Sequence, residues 1–576
     1  MRPTFASIRK TQESSEGGPA GPRDYGTLGR ADASGGGPSR SRWKRRRRLV
    51  GSPHAGGARL QGLSWQRIAG GAAAAALLCA GCAGTSAPGS STAVKPVLTV
   101  AELTPPSALN PTTAIDGLET VQELLYEGVT TWVSPPTPGL TGVAAPGLAT
   151  SWRYLPSSPA NTLFEFTLRH NARFAAGTPV NAQAVATWFR YLAKGPLSSN
   201  WADYFGVLKS VRTVGEWTVV VQLKTPIPNV PYGLTSIDGG FGSPVSSKCV
   251  AQPSMLNSGD CGAGPYMIDA SQTTTGSKYT FVPNPYYYDK SLQHWSKVVL
   301  LVVPTDSSLL EALRTGEVDL AQGDSSTSAA AKAAGMATPS AADINAGLFF
   351  NLTRKSPLRS LLVRQAMNYA INRKALAAAF GGDPESEMVT NDGYAPNYAN
   401  YYPYDPAKAK ALLAEAGYKH GFTLPDVLTY APMGDQGTPQ IQAVASQLAQ
   451  VGINLQIVSA PTNAVWGSDF AKDPPANQQE YSVDHVTVYY GLTMNGANGW
   501  TDPTITGLYN KALIQPPGSS AARADYQAIM ARTVTQAYFL PTLLTRIYLM
   551  YNPAKVANVQ VSAALNWWSP GAWTPK

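Results

Sequence analysis

The apolar run Gly70–Cys82 decides which part of this chain is left to fold. A bilayer span takes ~20 apolar residues, so the run is too short to cross one. It has the length of a signal-peptide apolar core, ends in small residues and meets a cysteine. That pattern resembles a bacterial lipobox, although Cys79 stands where its leucine is usual and Leu78 lies one position further back. Cys82 is therefore the expected lipidation site and first residue of the mature protein. The alternative is an ordinary secretory signal cleaved nearby. Either way the folded part is expected to work outside the cytoplasm.

Charge supports the same division. Of 45 Lys+Arg and 36 Asp+Glu, 14 and 4 lie in residues 1–81, which leaves 31 and 32 for residues 82–576. The remainder is close to neutral, so no nucleic-acid partner is expected. Lys44–Arg48 reads as the basic flank of a signal. Residues 1–40 are rich in Gly, Ser, Pro and Arg and are expected to be disordered. So long a leader suggests initiation nearer Val50 or later, which N-terminal sequencing of the precursor would check. Ala83 to Lys95 reads as a flexible tether, giving segments 1–81 and 82–95 ahead of the globule.

Two cysteines then remain, Cys249 and Cys261, twelve positions apart. In an oxidising compartment they are expected to form one disulfide; two free thiols are the alternative. Neither has a His or Cys nearby to complete a metal site, and no two of the five His have ligand spacing. No metal and no cofactor are expected. Neither a Gly-x-Ser-x-Gly elbow, a His-Glu-x-x-His pair nor a Gly-Lys-Ser/Thr phosphate loop is present, so the chain is not expected to be an enzyme.

Periodicity indicates α/β organisation. Val97–Ala101 and Leu163–Leu168 read as strands, and Val298–Val303 as a strand buried on both faces. Asn181 is placed to cap a helix burying Val185, Trp188 and Phe189. Asp405-Pro406 opens another helix, and Ala416-Gly417 closes it. Ile441, Val444, Leu448 and Val451 stripe a further helix before the strand Ile453–Ile457.

Several stretches also occur in a telling order. They are Leu109-Asn110-Pro111, Tyr126-Glu127-Gly128-Val129, Pro146–Trp152, Phe164–Val185, Gly262-Ala263-Gly264-Pro265-Tyr266, Leu313–Asp319, Val363–Arg373 and Ala409–Gly417. Together, across residues 97–560, they resemble the family 5 extracellular solute-binding proteins, the oligopeptide-, dipeptide- and nickel-binding group of ABC importers. The resemblance implies an α/β, two-lobed periplasmic-binding-protein-like fold of class II with a ligand cleft between lobes. Lobe I would be 96–303 with a subdomain at about 126–222, lobe II 304–535, and 536–576 a return to lobe I. Hinge crossings would fall near Val303-Pro304 and Phe539-Leu540-Pro541.

The implied function is capture of peptides or peptide-like polar solutes by a monomer. The cargo would pass to an ABC permease and its ATPase subunits, with the membrane held through lipid on Cys82. The alternatives are an extracytoplasmic lipoprotein enzyme and a sensing lipoprotein. In relatives an Asp shortly after a Gly-Trp pairs with the peptide amine; aligned on Asp502-Pro503, Gly499 stands there instead. Asp502 is the expected substitute, or else a turn-former. Tyr489, Tyr490, Asn495, Asn498 and Trp500 supply aromatic and polar groups suited to a cleft. Asp116 and Tyr548 fall where relatives line it.

Overall fold

The computed structural model describes residues 95–106, 108–112, 119–133, 143–195, 207–235, 242–388, 398–430, 437–470, 472–482, 501–561 and 572–576. Its dominant element is an 11-stranded mixed sheet. From one edge the order is Ile453–Ala460, Phe422–Tyr430, Ala476–Ser482, Ser340–Phe350, Phe539–Tyr551, Leu320–Gly323, Val97–Glu102, Lys297–Val302, Lys278–Pro283 and Tyr266–Ile268. The short strand Asp383–Pro384 pairs with Phe539–Tyr551 off this path. Val97–Glu102 runs parallel to both neighbours, as Phe422–Tyr430 does to Ile453–Ala460. Between these parallel groups, Ser340–Phe350 and Phe539–Tyr551 lie antiparallel to each other.

Local signals place these elements. Leu163–Leu168 alternates, burying Phe164, Phe166 and Leu168, within a separate sheet with Ala149–Tyr154, Thr218–Leu223 and Leu208–Val214. The Asn181 side chain accepts from the Ala184 amide at 3.0 Å and caps Ala182–Leu192, whose Val185, Trp188 and Phe189 are buried. Asp405 caps Pro406–Glu415 in the same way. The Gly-Ala-Gly-Pro-Tyr turn runs against the end of helix Glu119–Leu125. A Cβ at Gly262 would sit 2.1 Å from the Leu125 carbonyl oxygen, and one at Gly264 2.5 Å from that of Leu124, so only glycine fits. Nearby, Cys249 and Cys261 are buried and joined by a disulfide.

Two large apolar cores result. The first runs from Leu98 to Leu300 and takes in Leu320, Leu549, Val556 and Trp573; the Trp295 indole donates to the Trp573 carbonyl at 3.0 Å. The second runs from Leu348 to Leu543. In it, the two arginines of Val363–Arg373 are buried and tie their helices to the C-terminal return. Arg364 donates to the Gln536 and Ala537 carbonyls, and Arg373 to that of Pro541.

One expectation needs correction. Lys297–Val302 is fully buried on one face only; Leu301 on the other is half-covered by a small cluster around Ala101, Leu309 and Met550. That cluster also extends past Pro304. Helices Asp306–Thr315 and Ser325–Ala333 pack on Ala101 and Met550, and Leu320–Gly323 pairs with Val97–Glu102. The chain passes from one core to the other along Ser340–Phe350 and returns along Phe539–Tyr551. Tyr538 to Leu543 belong to the second core, and Leu549 to the first. Paired strands can run unbroken through two cores, whereas the loop at Pro304 only turns into a helix.

Candidate ligand-binding site

Where the chain crosses between cores, Phe539–Tyr551 turns two half-buried polar side chains to one face. Arg546 and Tyr548 are two apart, and side chains two apart on a strand share a face. Tyr548 stands in register with Gly323 on one side and Ser340 on the other. Arg546 Nη1 lies 2.6 Å from Asp383 Oδ2, and its Nε donates to Ser340 Oγ at 3.2 Å. Beyond Asp383 come Glu385 and Glu387. Each has one carboxylate oxygen buried without a hydrogen-bond partner. Burial pushes Glu385 up to about 7, helped by Glu387 and Asp383 and opposed by Arg373. Burial also pushes Glu387 up to about 7, against a hydrogen bond from the Tyr398 amide. The sequence reading missed this alternation of acids at 383, 385 and 387; its signal was the period of two after Gly381-Gly382.

Asp502 is engaged by its own chain. It is 2% exposed and caps helix Pro503–Leu513. Oδ1 accepts from the Thr504 and Ile505 amides at 2.8 and 3.2 Å. Oδ2 accepts from Arg532 Nε at 2.6 Å and from the Tyr538 hydroxyl at 2.7 Å. Burial pushes its pKa up, but the Tyr538, Arg532, Ile505 and Thr504 hydrogen bonds outweigh burial and hold it below the ordinary carboxylate value. Four donors occupy both oxygens, so Asp502 serves as a helix cap and an ion-pair partner. Tyr548 alone of the expected ligand residues is described at the crossing. Asp116, Tyr489, Tyr490, Asn495, Asn498 and Trp500 lie outside the described residues, as does Cys82.

A separate open pocket of about 430 Å³ is lined by residues that include Leu109, Asn257, Asp260, Thr273 and Tyr279. None of its lining residues belongs to the crossing strands. No group of three or more metal-ligating side chains converges among the described residues. No described helix is long and apolar enough to cross a membrane.

The family model for bacterial extracellular solute-binding proteins, family 5 (middle region), matches residues 144–510. A putative ABC transporter peptide-binding protein of Brucella ovis is 26% identical over 388 residues, covering 65% of this chain and 69% of that protein. Among solved structures, DppA of Helicobacter pylori in complex with the peptide STSA superposes with a TM-score of 0.65 at 19% identity, covering 83% of this chain and 98% of that one. NikA of Brucella suis in complex with Fe(III)-EDTA superposes with a TM-score of 0.70 at 19% identity, covering 84% and 100%. At such identities the structures bear on the fold alone.

Proposed function

The chain belongs to the family 5 bacterial extracellular solute-binding proteins, and from that premise we propose that it is the peptide-capturing receptor of an ABC importer, tethered to the membrane by lipid on Cys82. It is a binding protein and not an enzyme. Its ligand sits between the two cores, and closure of one core onto the other holds it there. The observation that carries this reading is the pair of long antiparallel strands, Ser340–Phe350 and Phe539–Tyr551, that join two separate apolar cores. Two adjacent connections let the cores rotate about a common line without breaking either interior. A ligand that touches both sides then stabilises the closed member of that equilibrium.

Peptides and peptide-like solutes are the favoured cargo. The Brucella ovis relative is named for peptides, and the Helicobacter pylori structure holds one. With Asp502 engaged by its own chain, an incoming α-amino group needs another carboxylate, and Asp116 is the candidate. Tyr489, Tyr490, Asn495, Asn498 and Trp500 would supply aromatic area and amide hydrogen bonds, and Tyr548 a hydroxyl at the crossing. Capture involves burial and hydrogen bonds, with no covalent step.

The test is to purify the full chain from an exporting host, denature it and identify the released small molecules by mass spectrometry. A set of short peptides is expected. One defined non-peptide compound in every preparation would overturn peptide capture and indicate a dedicated receptor. For the anchor, Cys82→Ser should move the protein from the membrane to the soluble extracytoplasmic fraction; unchanged membrane association would sink lipidation at Cys82.

A further inference from the structure

Asn161 reaches across from the first core to the second. It stands just before strand Leu163–Leu168, in the four-stranded sheet that shares no strand with the large one. Its Nδ2 donates to two carbonyls at the C-terminal end of helix Pro503–Leu513, that of Leu513 at 2.8 Å and that of Gln515 at 2.7 Å. The side of the helix that carries Ile505, Tyr509 and Leu513 is part of the second core. The link is therefore independent of the strands that join the cores.

Each side of the contact is built. Asn161 is 5% exposed and adopts φ +58°, a left-handed conformation that asparagine tolerates better than most residues. Its own carbonyl accepts from the Ile227 amide at 3.0 Å, which fixes the loop from below. Opposite, Asp525 accepts from Gln515 Nε2 at 2.7 Å and from Lys511 Nζ at 2.9 Å, fastening the helix end to helix Ser520–Thr535. The last carbonyls of a helix have no intrahelical donor and sit at the negative end of its dipole. A single primary amide offers two N–H groups, and here both are used. The start of the same helix is fixed by Asp502, directly after the stretch Tyr489–Trp500 assigned above to the ligand.

We propose that Asn161 is a latch: its amide closes on the C-terminal end of helix Pro503–Leu513 when the two cores come together, and the latch sets how slowly the bound solute is released. This rests on the receptor reading, because it requires cores that move. In the open state the Leu513 and Gln515 carbonyls turn to water. The latch thus favours closure by the small difference between a protein and a water partner, and does not lock the protein shut. A modest bias of that kind suits a receptor that must reopen at its permease.

The experiment follows the separation of the cores directly and needs no ligand. Exposed Lys209 and Lys410, one on each side, are each replaced by a ketone-bearing amino acid and labelled as a fluorescence energy-transfer pair. The full chain is studied in mild detergent. Asn161→Gly removes the amide and keeps the left-handed backbone accessible. The expected result is an open-to-closed ratio raised roughly five- to tenfold, as two modest hydrogen bonds allow. Asn161→Asp guards against misfolding: it also tolerates the left-handed backbone but turns acceptors toward acceptors, and should open the protein at least as much. Two interconverting distances with the same ratio in parent and both variants would overturn the latch and leave the receptor reading standing. A single distance, identical in parent and variants, would overturn both.

Discussion

Asp502 and Glu387 are buried to nearly the same degree, 2% and 4% exposed, yet their pKa values move in opposite directions. Burial raises both by disfavouring the charged form. Asp502 meets four donors, including an arginine, and stays ionised. Glu387 meets the Tyr398 amide and keeps one oxygen unpartnered, so it is pushed up to about 7. The contrast separates two uses of an inward-facing acid. One is spent on holding the second core together. The other is left short of donors, and burial pushes its carboxyl well above the ordinary range.

The sharpest way to break this contrast is Asp502→Ala. It uncaps a helix and strands Arg532 and the Tyr538 hydroxyl, so unfolding stability at pH 7 should fall by about 3–5 kcal/mol in urea titration. A loss below ~1 kcal/mol would mean that solvent replaces the network without penalty.

Next comes the pH profile of Glu387→Gln. Burial pushes the carboxyl of Glu387 up to about 7, above the ordinary glutamate value of 4.5. Between those values the folded state holds a proton that the unfolded state has released, so this group's contribution to stability falls as pH rises and is gone above about pH 7. The variant should match the parent below about pH 4 and exceed it by roughly 3 kcal/mol at pH 8. Asp502 has the opposite sign, its folded value lying below the ordinary one. Its contribution is present above pH ~4 and is lost as pH falls through the lowered folded value. Parallel pH curves for parent and Glu387→Gln would contradict the buried protonated form.

The smallest effect isolates capping. Asp405 holds the same N-cap position as Asp502, with Pro following it, and no salt bridge is found for it among the described residues. Asp405→Ala should cost about 1 kcal/mol by thermal or chemical unfolding. The gap between that value and the Asp502→Ala loss measures the ion pair and the tyrosine hydrogen bond.

Much of the architecture was legible because its signals are local. The Asn181 and Asp405 caps, the alternation of Leu163–Leu168 and the stripe of Ile441, Val444 and Leu448 act within a few residues, and each stands where its spacing indicates. The motif Gly262–Tyr266 is legible for a similar reason: close backbone approach excludes any side chain at Gly262 and Gly264. Strand order was less legible. Leu320–Gly323 comes back to Val97–Glu102 through parallel pairing that no local pattern announces.

The family, the α/β elements and the residues that start and stop them were readable along the chain, because backbone geometry and apolar periodicity are set over one or two turns. The partners of Asp502 became visible only with the folded chain. As an Asp before Pro it serves equally as a ligand's counter-ion or as a cap. Arg532 and Tyr538, 30 and 36 positions downstream, occupy the oxygen the cap leaves free. The same holds for Asn161, whose acceptors lie 352 and 354 positions away. A hydrogen bond is fixed by distance in space, and only packing of the cores brings such partners within 3 Å.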